Sequence, residues 1–349
     1  RLYAISTAGS LLGTLLSALI LIPLIGTRRT FLVFALAISL VAVAGLWPAR
    51  RYALAPAAIA ALIAVPVGTL KAKTGDGRVI YEAETPYQYA RVIEQHDGAR
   101  LLELNEGQAF HSYYRPHDPL AGHYTDGALV LPFLARDRAP ARLAVLGNAG
   151  GTLSRSYEAF FPRTRVDGVE IDGALSEIGR RFFGMHNPRL RVHDDDARPW
   201  LRRTRARFES IFVDAYRQPY IPFYLATREF FELVRDHLRP GGVVIVNVGH
   251  PRGEDAVEKA LSATMGAVFP HLLRWPIEDT NTLLVASRAP LSPAGLMATP
   301  RRLRRLALSA RSQLGRPLPG GSVWTDDRAP VEWATDRAIV DYAAGDTGK

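Results

Sequence analysis

Two patterns of apolar and polar positions share this chain, and they meet near Lys71. From Leu2 to Ile25 no charge interrupts an apolar run of about two dozen residues, long enough for a helix to cross roughly 30 Å of hydrocarbon. Phe31–Trp47 and Tyr52–Leu70 repeat the pattern at once, which predicts three membrane spans and not a cleavable signal. Pro56 and Pro66 bend the third without excluding it, because neighbouring helices take up the freed carbonyls. The alternative is a buried helical bundle in a soluble protein. Beyond Lys71 the period changes. VIYEAE, YQYARVIEQ and ARLLELN alternate polar with apolar and are separated by His96-Asp97-Gly98 and Asn105-Glu106-Gly107, so they predict strands joined by tight turns.

From Gly127 onward, apolar strand-length runs alternate with amphipathic stretches. Helices are expected over 127–134, 152–161, 173–183, from Ala197, and over 227–238 and 254–269; strands over 142–146, 166–171, 190–193, 208–214 and 243–248. Such alternation implies a parallel sheet covered on both faces. His271–Trp275 and Thr282–Ser287 then predict a closing antiparallel hairpin, which makes the sheet Rossmann-like and of methyltransferase type. The expected organisation is transmembrane helices over 1–71, a small β-hairpin subdomain over 79–126, a Rossmann-like catalytic domain over 127–290, and a helical or irregular extension over 291–349.

Charge adds orientation. Arg28 and Arg29 share a side with Lys71, Lys73 and Arg78, while Arg1, Arg50 and Arg51 lie opposite. The heavier side leads into the soluble part, so a multi-pass inner- or plasma-membrane protein with a cytoplasmic catalytic domain is expected. The chain opens on Arg1 with no initiator methionine, and further upstream sequence is expected. A net charge of +9 could suggest nucleic acid, but the arginines are scattered or flank the membrane, and the cluster Arg301, Arg302, Arg304 and Arg305 suits lipid headgroups better. No nucleic-acid partner is called for. With no cysteine, thiolate nucleophiles and disulfides are excluded. His111, His117 and His123 are spaced six apart without a helical i,i+4 pair, so no metal site is expected.

The chemistry gathers where strands end, since ligands of open α/β sheets bind beyond the carboxyl ends of the strands. Arg142–Asp172 reads strand, glycine turn, helix, strand. Gly147, Gly150 and Gly151 leave a ligand unobstructed by Cβ atoms, and the second strand ends on Glu170 and Asp172, placed to take both ribose hydroxyls of an adenosine. The third strand is followed by Asp194, Asp195 and Asp196, of which Asp196 can accept from an exocyclic amine or simply cap a helix. Asp214, with Ala215 and Tyr216, follows the fourth and faces the centre of the cleft.

GNAGG, VEID, DDDARPWL and FVDAY, preceded by TPYQYARVIE and LELNEGQ, resemble the spermidine synthase family of aminopropyltransferases. The apolar runs, with IPFYLATREFFELV and WTDDRAPVEW, are similar to its membrane-fused transporter/spermidine synthase-like branch. The resemblance covers roughly 79–333. It implies a transferase of polyamine biosynthesis that moves an aminopropyl group from decarboxylated S-adenosylmethionine to a small amine. Gln88 and Gln108 would contact the nucleoside and its sulfonium side, Glu170 the ribose, Asp196 with Ala197 the adenine, and Asp214 would be the base. Tyr124 and Asp126 stand where the family has a Tyr-His-Glu-like element and, with Tyr216, fall to the acceptor side. Two positions depart: Ala149 stands in place of the acid that holds the donor's amino group, and Arg217 in place of a second acid three residues after the base. The resemblance therefore implies a retained nucleoside half and an acceptor other than putrescine, or bound differently. Methyl transfer from S-adenosylmethionine, a non-catalytic nucleoside sensor and a nicotinamide dehydrogenase are the competing readings, the last disfavoured by Asp196 and the hairpin. Membrane lipid is an expected partner, and a homodimer is an open arrangement.

Overall fold

The computed structural model describes residues 2–45, 54–65, 73–74, 77–105, 110–217 and 219–346. The chain divides into one unit of residues 1–95 with 103–106 and another of residues 96–102 with 107–349. The first opens on α1 (Leu2–Leu16), a π-helical turn (Ser17–Leu21) and α2 (Ile22–Gly45), followed by α3 (Leu54–Ala64). Tyr3–Leu21 and Leu24–Gly45 are long and apolar enough to cross a bilayer, and none of the first is buried. Leu11, Leu12, Leu19 and Leu24 are each more than 60% exposed. The break between the two stretches falls at Gly26 (φ 79°, ψ 166°), so the second begins before the expected Phe31. Glu84 accepts a hydrogen bond from the Thr27 N–H, a donor that the helix restarting there would otherwise leave unsatisfied. Of the third expected span the described part is α3, 11 residues, about 16 Å of helix and too short to cross; residues 52–53 and 66–70 lie outside the described residues.

β1 (Lys73–Thr74) precedes β2 (Gly77–Glu84) and β3 (Tyr89–Gln95), which pair antiparallel from Gly77↔Gln95 to Glu84↔Tyr89 with a bulge between Val79 and Tyr81. β4 (Arg100–Leu104) and β5 (Phe110–Tyr114) complete a sheet whose strands follow sequence order. The alternating runs thus form the strands they predict.

In the second unit the expected helix over 127–134 is instead two 3-10 segments, Tyr124–Leu129 and Leu131–Leu134. Pro132 cannot donate to a continuing α-helical ladder. There follow β6 (Arg142–Leu146), α4 (Thr152–Phe160), β7 (Arg165–Glu170), α5 (Gly173–Phe182), β8 (Leu190–Asp194), α6 (Ala197–Arg203), β9 (Phe208–Val213), α7 (Arg228–His237), β10 (Leu238–Gly249), α8 (Ala256–Gly266), β11 (His271–Glu278), β12 (Asn281–Ser287), α9 (Arg304–Gln313) and α10 (Val331–Asp346). The sheet order is β11-β12-β10-β9-β6-β7-β8. β6 to β10 are parallel neighbours, β12 runs antiparallel to β10, and β11 antiparallel to β12. This is the Rossmann-like, methyltransferase-type sheet with its closing hairpin.

Strand residues alternate between two cores. Ile211, Val213, Val244, Val246 and Val248 pack with Trp200, Phe230, Phe231 and Leu261 on one face. Phe212, Val243 and Ile245 pack with Leu129, Phe133, Tyr157 and Leu303 on the other. Burial on both faces is what parallel strands require. From β6 the chain winds outward to β7 and β8 and then returns across the sheet to β9 on the other side of β6, and this reversal places a crevice at the carboxyl ends of β6 and β9.

Candidate active site

At that crevice Gly147 carries φ +93°, and a Cβ there would stand 2.4 Å from the Asp214 carbonyl oxygen. Only glycine lets the end of β6 lie this close to the end of β9. The Asp214 N–H donates to the Leu146 carbonyl at 2.8 Å, which holds the two ends together. Gly150 donates to Ser112 Oγ at 2.8 Å, and Gly151 (φ +81°) is the residue before α4. Ala149 also has positive φ, +43°, and its N–H donates to Glu170 Oε2 at 2.8 Å.

Glu170 ends β7 and is buried; its Oε1 accepts from the Asp172 N–H at 3.1 Å. Each carboxylate oxygen keeps a lone pair beyond these bonds, enough to accept a hydroxyl. Burial pushes its carboxyl up to about 7, against the backbone donors that pull it down. Asp172 is buried and caps α5 by accepting from the Ala174 N–H at 3.2 Å. Asp196 caps α6 through the Arg198 N–H and accepts from the Tyr224 hydroxyl at 2.9 Å, beside buried Ala197. For these two acids the cap is present, as their positions before helices allow.

Asp214 is half-buried and both oxygens are occupied: Asn247 Nδ2 donates to Oδ1 at 2.7 Å and the Tyr124 hydroxyl to Oδ2 at 3.1 Å. Burial pushes this carboxyl up to about 7, the two donors oppose that, and Glu170 lies near enough to raise it further. Asn281 Nδ2 donates to Asn247 Oδ1 at 2.9 Å, which fixes the amide so that its NH2 faces Asp214. Tyr216 accepts from the Gly249 N–H and donates to the Asn247 carbonyl at 3.0 Å. Asp126 accepts from the Ala121 and Gly122 N–H groups at 2.9 and 2.8 Å; burial raises its pKa.

The second unit thus brings together Gly147, Gly150, Gly151, Glu170, Asp214, Tyr124 and Tyr216. Gln88 belongs to the other unit, in the turn between β2 and β3, where its N–H donates to Thr85 Oγ1. Gln108 lies outside the described residues. Arg217 is exposed and exchanges backbone hydrogen bonds with Tyr220. Sequence reading missed Asn247, Asn281 and Glu278. A lone polar residue within the apolar run of β10 was the available signal for Asn247. Among the described residues no three His, Asp or Glu side chains are grouped to hold a metal ion.

The comparisons agree with this architecture. Residues 135–276 match the family described as Spermine/spermidine synthase domain. The chain is 29% identical over 317 residues to a probable polyamine aminopropyl transferase of Bifidobacterium longum, covering 82% of this chain and 70% of that one. It is 30% identical over 182 residues to a polyamine aminopropyltransferase of Vibrio vulnificus, covering 50% of this chain and 60% of the relative. The crystal structure of a probable spermidine synthase from Corynebacterium glutamicum shares the fold, with TM-score 0.55 and 22% identity over 74% of this chain and 93% of that one. Residues 135–276 thus match the spermine/spermidine synthase domain family, and the relatives that this chain resembles are named as polyamine aminopropyltransferases.

Proposed function

We propose that the protein transfers an aminopropyl group from decarboxylated S-adenosylmethionine to a primary amine with Asp214 as base, and that its first two helices anchor it in membrane lipid. The observation that carries this reading is the pair of carboxylates on strands flanking β6, Glu170 beside the glycine loop and Asp214 beside Tyr124 and Asn247. Both are held near neutrality by burial, so a cationic sulfonium and an ammonium would favour their ionised forms.

The nucleoside half uses Glu170 on the ribose hydroxyls and Asp196 with Ala197 at the adenine. Gly147, Gly150 and Gly151 shape the loop that would meet the donor; a Cβ on them would run into Asp214, Ser112 and Met185, so close packing of the loop requires glycine. Asp172 and Asp126, whose carboxylates are taken by backbone N–H groups, brace the loops that carry these contacts. Tyr124 and Tyr216 line the acceptor side. An aliphatic amine is almost wholly protonated at pH 7 and cannot attack until it loses a proton. Asp214 accepts that proton and orients the nitrogen about 3–3.5 Å from the methylene beside the sulfonium. The C–N bond forms as the C–S bond breaks; its electron pair returns to sulfur, which leaves as the neutral thioether 5′-methylthioadenosine. No metal takes part in this scheme.

The test is mass spectrometry of products from the full chain in detergent, incubated with mixed amines and each donor. Equal amounts of aminopropylated amine and 5′-methylthioadenosine are expected, with turnover reduced ~10²–10⁴-fold by Asp214→Asn. A methylated product from S-adenosylmethionine alone would instead assign methyl transfer, and donor binding without any product a sensor.

A further inference from the structure

Arginines that lie scattered in the sequence gather at one edge of the parallel sheet. Arg142 and Arg165 open β6 and β7 and are register partners. Arg189 immediately precedes β8, Arg207 immediately precedes β9, and Arg239 is the second residue of β10. Leu190 and Phe208, which open β8 and β9, pair with Val166 and Leu238, so each parallel strand brings an arginine to its amino end. Arg142 is paired with Asp167, and Arg239 with Glu209 at 3.5 Å. Arg165, Arg189 and Arg207 are exposed, as is Arg163 in the turn before β7, and none of these four has an ion pair among the described residues. Of the acids at this edge, Asp167 and Glu209 are buried and Asp137 is exposed. Because α4 returns from the end of β6 to the start of β7, its last residue, Phe160, lies here too; Arg302 covers that ring at 4.9 Å and extends the basic face to the cluster at 301–305. Carboxylates collect one strand length away, roughly 20 Å, at the edge that carries Glu170, Asp194 and Asp214.

We propose that this amino-end edge is a docking face for anionic lipid headgroups, which seats the second unit on the bilayer with its crevice turned to the water; this rests on the membrane-anchor reading. Guanidinium forks take phosphate oxygens in pairs, and a row of unpaired like charges repels itself until an anionic surface neutralises it. Each contact is weak alone, but a chain already held in the bilayer meets headgroups at high effective concentration. A single-stranded nucleic acid would need aromatic faces on which to stack its bases. Phe160 and Phe208, aromatic residues of this edge, lie beneath the guanidinium groups of Arg302 and Arg142 instead.

The chain has no cysteine, so one fluorophore can be placed through Pro188→Cys, beside Arg189, or through Thr280→Cys, in the exposed turn past the carboxyl end of β10. The full chain with either label is reconstituted into vesicles that carry an energy-transfer acceptor among their headgroups. On vesicles rich in phosphatidylglycerol, transfer from 188 should exceed transfer from 280. The contrast should vanish on phosphatidylcholine alone and in 1 M salt, where screening acts within ~3 Å. It should also vanish in the triple variant Arg163→Gln, Arg165→Gln, Arg189→Gln, each lost charge weakening docking ~5-fold. That variant should melt in detergent as the wild type does, so that its lost contrast reads docking and not unfolding. Equal transfer from both sites on anionic vesicles, or a contrast indifferent to lipid charge, overturns the proposal, as does binding of RNA to the protein without any such contrast. Carbonate extraction of the same vesicles reads the anchor separately. Chain retained with equal transfer keeps the anchor and sinks the docking face; chain released from vesicles that had shown the contrast keeps the face and sinks the anchor.

Discussion

At Asp214 burial and hydrogen bonding pull in opposite directions, and the pH profile should report their balance. Burial raises the carboxyl to about 7, while Asn247 and Tyr124 hold it down. If Asp214 must be ionised to accept the proton, kcat/KM should rise with pH to an acid limb near 7. Tyr124→Phe removes one donor to the ionised form, about 1 kcal/mol, so the limb should move upward by roughly 0.5–1 pH unit. An unmoved or lowered limb would contradict the assignment of Tyr124 as donor to the base. The same shift has a consequence for stability. Because the folded pKa lies above the ordinary 3.8, Asp214 favours the fold while protonated, and this contribution is lost as pH rises from about 4 through 7. Asp214→Asn should therefore gain stability over the wild type at pH 8, on the order of a few kcal/mol, and little at pH 5, while losing turnover. Thermal melts at the two pH values measure the difference.

The contacts between elements decide where these side chains stand. A methyl group on Gly147 would meet the Asp214 carbonyl and oppose φ +93°, so Gly147→Ala should cost about 2–4 kcal/mol of stability by strain and overpacking, and reduce kcat at least as much as it raises KM. A result confined to KM would place the loop outside the reacting centre. Arg198, buried in α6, donates to both oxygens of Asp326 at 2.7 and 2.6 Å and to the Tyr224 carbonyl, and Tyr224 in turn donates to Asp196. The stretch WTDDRAP thereby braces Asp196, the residue proposed to face the adenine. Asp326→Ala would leave the guanidinium without its partner. Because Asp326 is 41% exposed, the loss should be about 2 kcal/mol, below that of a fully buried pair, and visible as a lower urea midpoint. Arg198 depresses the Asp326 carboxyl, so the contribution holds above the usual carboxylate range and fades in acid; the gap to wild type should close there. The parallel strands and the site edge were legible because the apolar runs of β7, β8 and β9 stop at carboxylates and that of β6 at a glycine turn. Asn247 was not, being one amide inside VVIVNVG whose partner is set by the register that puts Asn281 opposite Gly249. Glu278 takes the Tyr124 N–H across 154 residues of sequence, a pairing no local period encodes.

For the whole molecule, the issue is what covers the first two helices. Tyr3–Leu21 has no buried residue, and apolar side chains exposed on this scale lose the hydrophobic contribution unless lipid surrounds them. A protein of net charge +9 could also reach anionic lipid through its arginines alone, but such attachment is screened by salt. The two mechanisms separate on extraction. Helices that enter the hydrocarbon should keep the full chain in the membrane fraction through 1 M salt and alkaline carbonate, with release only by detergent. Attachment through Arg301, Arg302, Arg304 and Arg305 should be lost in salt, and recovery of the protein in the high-salt supernatant would overturn membrane insertion. Glu84 gives a second readout, because its carboxylate takes the Thr27 N–H at the Gly26 break, and a charge there belongs in the polar interface and not in hydrocarbon. A polarity-sensitive probe placed at residue 27 should therefore report interfacial surroundings while one at residue 12 or 38 reports hydrocarbon, and an apolar signal at 27 would remove the basis for two separate crossings.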